Sequence, residues 1–280
     1  MRPVVLVKQI FRNGEVILGE LKHHVFVFKL LSSKKGNNVY RAFCAGSIIT
    51  QERVLTSTHC YLTNRKRRRH NFDNLRVVAG ILHVHTVQPM STMPLLDDIE
   101  QWRLIAHLYS QRLFRFPAYD LGIIKVNRPW VFNDFVNKIP YATLDQDFDG
   151  VCVGTAVKTT KSWSRDRYLY AANFQLTSRL DCEHQLLRSC TNYYCTDYDV
   201  SMSSSREIEG GGLICHDTGD PAEDKELGIL VGVSSLININ LPSLHNRVGP
   251  FHDWITDDCY EARLNLHLLV TCVAGLYYIF

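Results

Sequence analysis

A run of three glycines followed by a short apolar segment constrains this chain more than any other feature. Residues 206–215 read Arg-Glu-Ile-Glu-Gly-Gly-Gly-Leu-Ile-Cys. Glycine adopts backbone conformations that other residues avoid, and consecutive glycines mark turns. The segment therefore predicts a tight turn that leads into a buried strand, with the cysteine near the end of that strand.

Two chemically distinctive segments precede this turn. Residues 54–60 read Val-Leu-Thr-Ser-Thr-His-Cys, which places His59 beside a cysteine at the end of an apolar strand. Residues 119–126 read Tyr-Asp-Leu-Gly-Ile-Ile-Lys-Val, which places Asp120 at the head of another. A histidine, an aspartate and a glycine-rich turn therefore follow one another along the chain.

This order of motifs resembles the chymotrypsin/trypsin family of serine proteases. That family has Leu-Thr-Ala-Ala-His-Cys, then an aspartate before an apolar strand, then Gly-Asp-Ser-Gly-Gly-Pro-Leu-Val-Cys. When the Leu-Ile-Cys segment 213–215 is aligned with the family pattern, the serine position is occupied by Glu209. The resemblance covers residues 16–256. It implies an all-β fold of two six-stranded antiparallel β-barrels, at about 16–128 and 129–256, with a C-terminal helix.

The resemblance implies a site made of His59, Asp120 and Glu209, in which Glu209 replaces the nucleophilic serine. A carboxylate is a poor nucleophile toward peptides, because its acyl product would be an anhydride. An imidazole between two carboxylates favours its protonated form, so we expect a raised pKa for His59. In the family, the backbone N–H groups at the positions of Glu207 and Glu209 form the oxyanion hole. Two carboxylates there would oppose the developing negative charge.

The family's activation switch is also missing from this sequence. Residues 16–19 stand where the family has a mature N-terminus, freed by cleavage after Arg or Lys, but Glu15 precedes them here. In the family the freed amine is buried against an aspartate, and that position is Ile208 here. Losing both halves of a buried ion pair leaves no uncompensated charge. The sequence therefore predicts a chain that folds without cleavage.

The resemblance also places a degenerate substrate pocket. Ser203 stands at the pocket floor, where a trypsin has aspartate, and Ser235 stands at the substrate edge. Ile237 and Ser243 replace two pocket glycines. We expect Ile237 to fill a pocket that lacks the charge needed to bind a basic side chain.

Cysteine usage indicates the compartment. The chain has nine cysteines and lacks the C-x2-C spacing typical of zinc sites, which favours a secreted, disulfide-bonded protein. Residues 1–15 are expected to be a leader, although they carry no recognisable secretory signal. The resemblance implies the pairs Cys44–Cys60, Cys152–Cys215 and Cys182–Cys195. It leaves Cys190, Cys259 and Cys272 unassigned.

Two segments allow several interpretations. The basic run 65–69 is favoured as a solvated loop, with an anion-binding patch or a convertase cleavage site as alternatives. Residues 257–280 form an apolar tail. Its part 264–280 is at the lower limit for a membrane helix, so membrane attachment is the minority hypothesis and packing on the barrels is favoured.

Composition excludes other classes of function. The 46% apolar and 21% charged content is ordinary for a globular protein, and a net charge of +3 is too mild to indicate nucleic-acid binding. His83 and His85 would share one face of a strand predicted over residues 75–87, but no third metal ligand accompanies them. We expect no metal, no cofactor and a monomer.

The sequence therefore predicts a secreted, non-catalytic serine protease homologue that acts by binding a protein, such as an active protease or its substrate. It would be a cofactor, decoy or regulator of proteolysis. The alternative is a serine-type endopeptidase, as the family resemblance implies, with a nucleophile among serines 203–205. Glu209 is the residue that discriminates between the two hypotheses.

Overall fold

The computed structural model describes residues 14–34, 37–89, 99–148, 151–159, 167–197, 205–238 and 240–257. These residues form sixteen strands and two α-helices. The strands are β1 Gly14–Glu15, β2 His24–Lys34, β3 Asn37–Ile48, β4 Arg53–Thr56, β5 Leu75–Ala79, β6 His85–Pro89, β7 Gln101–Arg103, β8 Ile105–Ser110, β9 Gly122–Val126, β10 Val151–Thr159, β11 Arg167–Thr177, β12 Tyr193–Thr196, β13 Ser205–Glu207, β14 Gly212–Cys215, β15 Ile229–Leu236 and β16 Ser243–Arg247. The helices are α1 Arg179–Leu186 and α2 His252–Thr256.

The first barrel is a nearly closed antiparallel sheet. Its strands follow the order β7-β5-β2-β3-β4-β9-β8, and β6 pairs with β3 outside this path. Only Leu104 separates β7 from β8 along the chain. These two strands therefore act as one bent strand that pairs at both edges of the sheet, which makes six strands around the barrel.

The second barrel is closed. Strands β10, β11, β12, β16, β15 and β14 form a ring, because β10 pairs with both β11 and β14. At its rim, β1 pairs with β11 and β13 pairs with β10. The predicted all-β fold of two six-stranded antiparallel barrels with a C-terminal helix is confirmed.

Two apolar clusters join the barrels. One contains Leu121 from the first barrel and Phe174 from the second. The other contains Trp102 from the first barrel and Ile208 from the second. Complete burial of each large apolar side chain contributes about 1.5–3 kcal/mol, so the two clusters hold the barrels in a fixed relation. The cleft between the barrels is consequently a rigid place on which to build a site.

Three disulfides brace the fold. They are Cys44–Cys60, Cys152–Cys215 and Cys182–Cys195, the pairs that the family resemblance implied. Cys190 is a buried free thiol whose sulfur lies 3.3 Å from that of Cys182.

One predicted strand is wrong. Residues 75–87 do not form a single strand, because β5 ends at Ala79 and β6 begins at His85. Gly80 follows β5 with φ +71°, a left-handed conformation that ends the strand. His83 lies outside both strands and pairs with Tyr168 of the second barrel, so it does not share a strand face with His85.

The two ends of the described chain differ. Gly14–Glu15, the last two residues of the expected leader, pair with β11 of the second barrel. At the other end α2 buries Ile255, which is 1% exposed. Cys259, Cys272 and the apolar segment 264–280 lie outside the described residues. Within the described part of the chain, no helix has the length and apolar character needed to span a membrane.

Candidate functional site

His59 lies in a single turn of 3-10 helix, Thr58–Cys60, that follows β4. The Thr58 hydroxyl donates a hydrogen bond of 2.7 Å to the carbonyl of Leu121, and the Cys44–Cys60 disulfide ties the turn to β3. His59 is 8% exposed. The turn therefore fixes a nearly buried imidazole beside the start of β9.

Asp120 is fully buried and accepts four hydrogen bonds. Its Oδ1 accepts from the His59 backbone N–H at 2.7 Å, and its Oδ2 lies 2.6 Å from His59 Nδ1. The hydroxyls of Ser57 and Ser235 also donate to Oδ2, at 2.6 and 2.5 Å. A buried charge is tolerated when donors surround it in this way. The four bonds hold the carboxylate against the ring and orient Nε2 away from it.

Glu209 lies on the other side of the imidazole. It occupies the turn between β13 and β14, and its Oε2 lies 3.1 Å from His59 Nε2. The side chain of Glu209 is 42% exposed. Its backbone carbonyl accepts a 2.9 Å hydrogen bond from the N–H of Ala45, which anchors the turn to the first barrel. His59 therefore lies between two carboxylates, as the sequence predicted.

Gly210 explains why this turn needs glycine. It has φ +81°, and a Cβ there would lie 2.3 Å from the carbonyl oxygen of Ala45. Its N–H donates a 2.8 Å hydrogen bond to the carbonyl of Ser234 in the second barrel. Because contacts from both barrels meet at Gly210, the backbone that carries Glu209 has little freedom.

Gly210→Ala is expected to lower the free energy of unfolding by about 3 kcal/mol or more, because backbone strain adds to the steric clash. Gly219→Ala is the matched control. Gly219 has φ +77°, but a Cβ there would meet no atom within 4 Å, so only strain of about 1–2 kcal/mol is expected. Urea unfolding followed by circular dichroism measures both. Equal losses in the two variants would show that the close approach at Gly210 contributes nothing.

The two carboxylates change the protonation of His59. Burial lowers the pKa of its imidazole, but hydrogen bonding and charge interactions with Asp120 and Glu209 outweigh burial and raise the pKa to about 9. At neutral pH the ring is therefore protonated and positively charged. The direction of the shift agrees with the expectation from the sequence.

Three neighbours of this site were not predicted. The Ser57 hydroxyl lies 2.8 Å from His59 Nδ1, and the side-chain carbonyl of Asn246 accepts from the Asp120 backbone N–H at 3.1 Å. The Phe116 ring packs on the His59 ring, with 4.6 Å between centroids. Ser57 could have been suspected from its position two residues before His59. Asn246 and Phe116 have no such signal, because only the fold brings them to the site.

The four predicted pocket residues have different surroundings. Ser235 is fully buried and binds Asp120, so it supports the His59–Asp120 pair. Ile237 is partly buried and lines a groove next to Glu209. Ser243 is buried, and its hydroxyl accepts from the Asn238 backbone N–H at 3.2 Å. Ser203 lies outside the described residues.

Val16 and Ile208, the two positions that the resemblance aligns with the family's activation ion pair, are apolar and buried. Val16 and Ile208 are 6% and 8% exposed and belong to the same apolar cluster. The Val16 N–H is part of an internal peptide bond and donates to the carbonyl of Leu169 at 3.3 Å. Apolar burial therefore links the N-terminal segment to the turn that carries Glu209.

Two groups of potential metal ligands occur among the described residues. One is His59, Cys60 and Glu209, and the other is Cys182, Cys190 and Cys195. In the first, Cys60 is bonded to Cys44, and in the second, Cys182 is bonded to Cys195. Metals bind thiolates, so each disulfide removes ligands from its group. Two ligand atoms remain in the first group and one in the second.

Comparison with known proteins agrees with this architecture. A protein-family model described as Trypsin matches residues 22–255. Trypsin-2 of Salmo salar is 25% identical over 228 residues, which cover 76% of this chain and 84% of that protein. Coagulation factor IX of Oryctolagus cuniculus is 24% identical over 193 residues, which cover 63% and 62% of the two chains. Kallikrein 1-related peptidase b3 of Mus musculus is 22% identical over 227 residues, covering 76% and 79%.

Proposed function

The chain belongs to the trypsin family, and from this premise we propose that it is a secreted serine protease homologue that does not cleave peptides and acts by binding another protein. The observation that carries the proposal is the 3.1 Å contact between His59 Nε2 and Glu209 Oε2. In an active member of the family, this nitrogen takes the proton of the serine hydroxyl. The Glu209 carboxylate next to this nitrogen supports the proposal that it replaces that hydroxyl.

The protonation of His59 supports the absence of catalysis. A general base must be unprotonated when it acts, and the raised pKa of about 9 keeps the ring protonated at neutral pH. Asp120 would stabilise the imidazolium in an active enzyme as well, but Glu209 adds a second negative charge in the resting state. His59 Nε2 therefore already carries a proton, whereas the reaction would need this nitrogen to be unprotonated.

The chemistry of Glu209 supports the same conclusion. Its carboxylate is close enough to the cleft to meet a substrate, since 42% of the side chain is exposed. Attack on a peptide would expel an amine and form an anhydride, which is far less stable than the starting amide. The negative charge of Glu209 would also oppose the oxyanion that peptide hydrolysis must stabilise.

The burial of Val16 and Ile208 in one apolar cluster supports a fold that needs no proteolytic activation. A protein of this kind is ready to bind from the moment it folds. The three disulfides support secretion, because such bonds persist mainly in oxidising compartments. As a binding protein it would act on an active protease or on the substrate of one, as a cofactor, decoy or regulator.

A serine-type endopeptidase is the second candidate, and the intact His59–Asp120 pair at 2.6 Å favours it. It requires another hydroxyl at Nε2. Ser57 does not serve, because it is fully buried and its hydroxyl lies beside Nδ1. Ser203 and Ser204 lie outside the described residues. The two candidates therefore differ in whether the purified protein carries a reactive serine.

A fluorophosphonate probe, which labels activated serines, distinguishes the candidates when used beside an endopeptidase assay. We expect no labelling of the wild-type protein. Glu209→Ser restores one missing group but leaves Glu207 and Ile208 in place. Because one defective oxyanion donor alone slows catalysis about 10²–10³-fold, we expect the variant to label at least that much more slowly than an active trypsin.

The labelling results distinguish the non-catalytic homologue from the endopeptidase. Labelling of the wild-type protein, mapped to a serine by mass spectrometry, would overturn the proposal in favour of the endopeptidase. Rapid labelling of Glu209→Ser alone would keep the wild type inactive but confine its defect to one residue. His59→Ala combined with Glu209→Ser is the control, because labelling that persists without the histidine is not catalytic.

A further inference from the structure

A groove of about 350 Å³ is lined by both barrels and by Glu209, whose negative charge is paired with the protonated His59. Phe43 and Val84 of the first barrel line it, together with Val157 and Ile208 of the second. Two cationic residues from neighbouring strands, Lys29 and Arg41, also line it. We call this site the basic groove. Its volume is sufficient for one or two side chains of a bound segment. Its apolar lining favours side chains that are themselves apolar.

The two cations of the basic groove are expected to destabilise the sheet that carries them. Lys29 of β2 and Arg41 of β3 are direct cross-strand partners, and both are exposed. Like charges directly opposite one another destabilise a sheet. Among the described residues, neither has a carboxylate within ion-pair distance. A negatively charged ligand that binds both side chains would explain why two cations lie opposite each other in this sheet.

The positive charge continues beyond the groove. The His70 ring packs edge-on against the Phe43 ring, with 4.8 Å between centroids. Burial, Lys29 and Arg69 all lower the pKa of His70, so these cations lie close enough to act on one group. Residues 65–69, the basic run, are exposed. A surface of one charge attracts an oppositely charged partner and speeds its association.

We propose, resting on the proposed function, that the basic groove binds an extended acidic segment of the protein partner. Carboxylates of that segment lie beside Lys29 and Arg41, and an apolar side chain packs on Phe43 and Val84. A sulfated polysaccharide would also be attracted by the charge. It would gain nothing from the apolar lining, however, so the groove favours a peptide.

Two fluorescein-labelled peptides of equal charge test the proposal against the full chain. One alternates glutamate with leucine and phenylalanine, and the other alternates glutamate with serine. Fluorescence anisotropy at low salt gives the dissociation constants, since salt screens such attraction. We expect the apolar acidic peptide to bind at least about tenfold more tightly than the serine peptide.

Lys29→Glu separates the groove from the surrounding charge. It replaces the like-charged pair with an oppositely charged one, so we expect a thermal midpoint no lower than that of the wild type. We also expect binding of the apolar acidic peptide to weaken at least about tenfold. Arg65→Glu makes the same change in net charge on the basic run, outside the groove. It is expected to weaken binding less than about threefold.

Three results would overturn the proposal: no binding of the apolar acidic peptide, equal binding of the two peptides, or equal losses in the two variants. The last two would indicate general attraction to the basic run, and competition by a heparin-type polysaccharide would then identify it as a polyanion site. These results leave fluorophosphonate labelling unchanged. Failure of the groove is therefore distinguishable from failure of the proposed non-catalytic function.

Discussion

Acid is expected to unfold this protein at an unusually high pH, because two adjacent histidines are buried and have no hydrogen-bond partner for their rings in the described part of the chain. His23 and His24 are 5% and 3% exposed, and none of their ring nitrogens has a hydrogen-bond partner among the described residues. Burial lowers the pKa of His23 to about 4. Burial and the charge of His23 lower the pKa of His24 to about 3. The native state therefore holds both rings neutral while the unfolded chain protonates them near pH 6.5.

Because the pKa values of both histidines are lower in the native state than in the unfolded chain, acid lowers the free energy of unfolding. As pH falls below about 6.5 the unfolded chain takes up protons that the native state refuses, so stability is lost until the native pKa values are reached. At pH 5 the loss is about 2 kcal/mol for each histidine, or about 4 kcal/mol for the pair. A typical domain has only about 5–15 kcal/mol to lose.

Urea unfolding at pH 7.5 and pH 5 measures this loss, and His23→Leu/His24→Leu isolates it. We expect the wild type to lose about 4 kcal/mol more than the double variant between the two pH values. The comparison cancels the contribution of His59, which both proteins retain. His184→Gln, at an exposed position of α1, is the matched control and should behave as the wild type. Equal pH dependence in the wild type and the double variant would contradict the prediction.

The sequence was most informative where a local motif carries the chemistry. The segment ending in His59, the strand headed by Asp120 and the glycine turn after Glu209 each combine a backbone requirement with a functional group within about ten residues. Short-range patterns of this kind are visible without a structure. The family resemblance that these segments carry implied the two barrels, which the structure confirms. The structure brings His59, Asp120 and Glu209 together because each segment is fixed by a strand that the fold must bury.

The features that sequence reasoning missed depend on contacts between distant parts of the chain. Asn246 reaches Asp120 across 126 positions, and no local pattern announces that contact. The strand predicted over residues 75–87 was wrong for a related reason. Its apolar content is continuous, but the N–H of Leu169 in β11 donates a 2.8 Å hydrogen bond to the carbonyl of Leu82 and draws the segment toward the second barrel. Tertiary contacts overrode the local preference for a strand.

Glu209→Gln is expected to lower the pKa of His59 by about one unit or more. The change preserves the shape of the side chain and removes the charge that lies 3.1 Å from Nε2. Even with the full dielectric screening of water, two unit charges at that distance interact by about 1.3 kcal/mol, which corresponds to about one pKa unit. Because 42% of the Glu209 side chain is exposed, solvent screening keeps the interaction near this value. NMR titration of the His59 ring measures the change directly.

Glu209→Gln should also change how the free energy of unfolding depends on pH. Because the pKa of His59 is raised in the native state, its contribution to stability is fully present below about pH 6.5 and is lost as pH rises through about 9. Glu209→Gln should therefore be less stable than the wild type near pH 6.5, by about 1 kcal/mol, and should approach it near pH 10. Glu226→Gln removes an exposed carboxylate from the turn before β15 and is the matched control.

The titration also tests why the site would be inactive. If His59 still titrates near pH 9 in Glu209→Gln, Asp120 alone holds the proton, and the proposed inactivity would rest on the absence of a serine hydroxyl at position 209. If the pKa falls as expected, the proposed inactivity has two causes: Glu209 stands in place of a nucleophilic serine, and it also keeps the histidine charged. In that case the carboxylate turns the His59–Asp120 pair into a fixed ion cluster that joins the two barrels. Serine or alanine at position 209 could not form this cluster, so glutamate there has a structural role that neither of those residues would have.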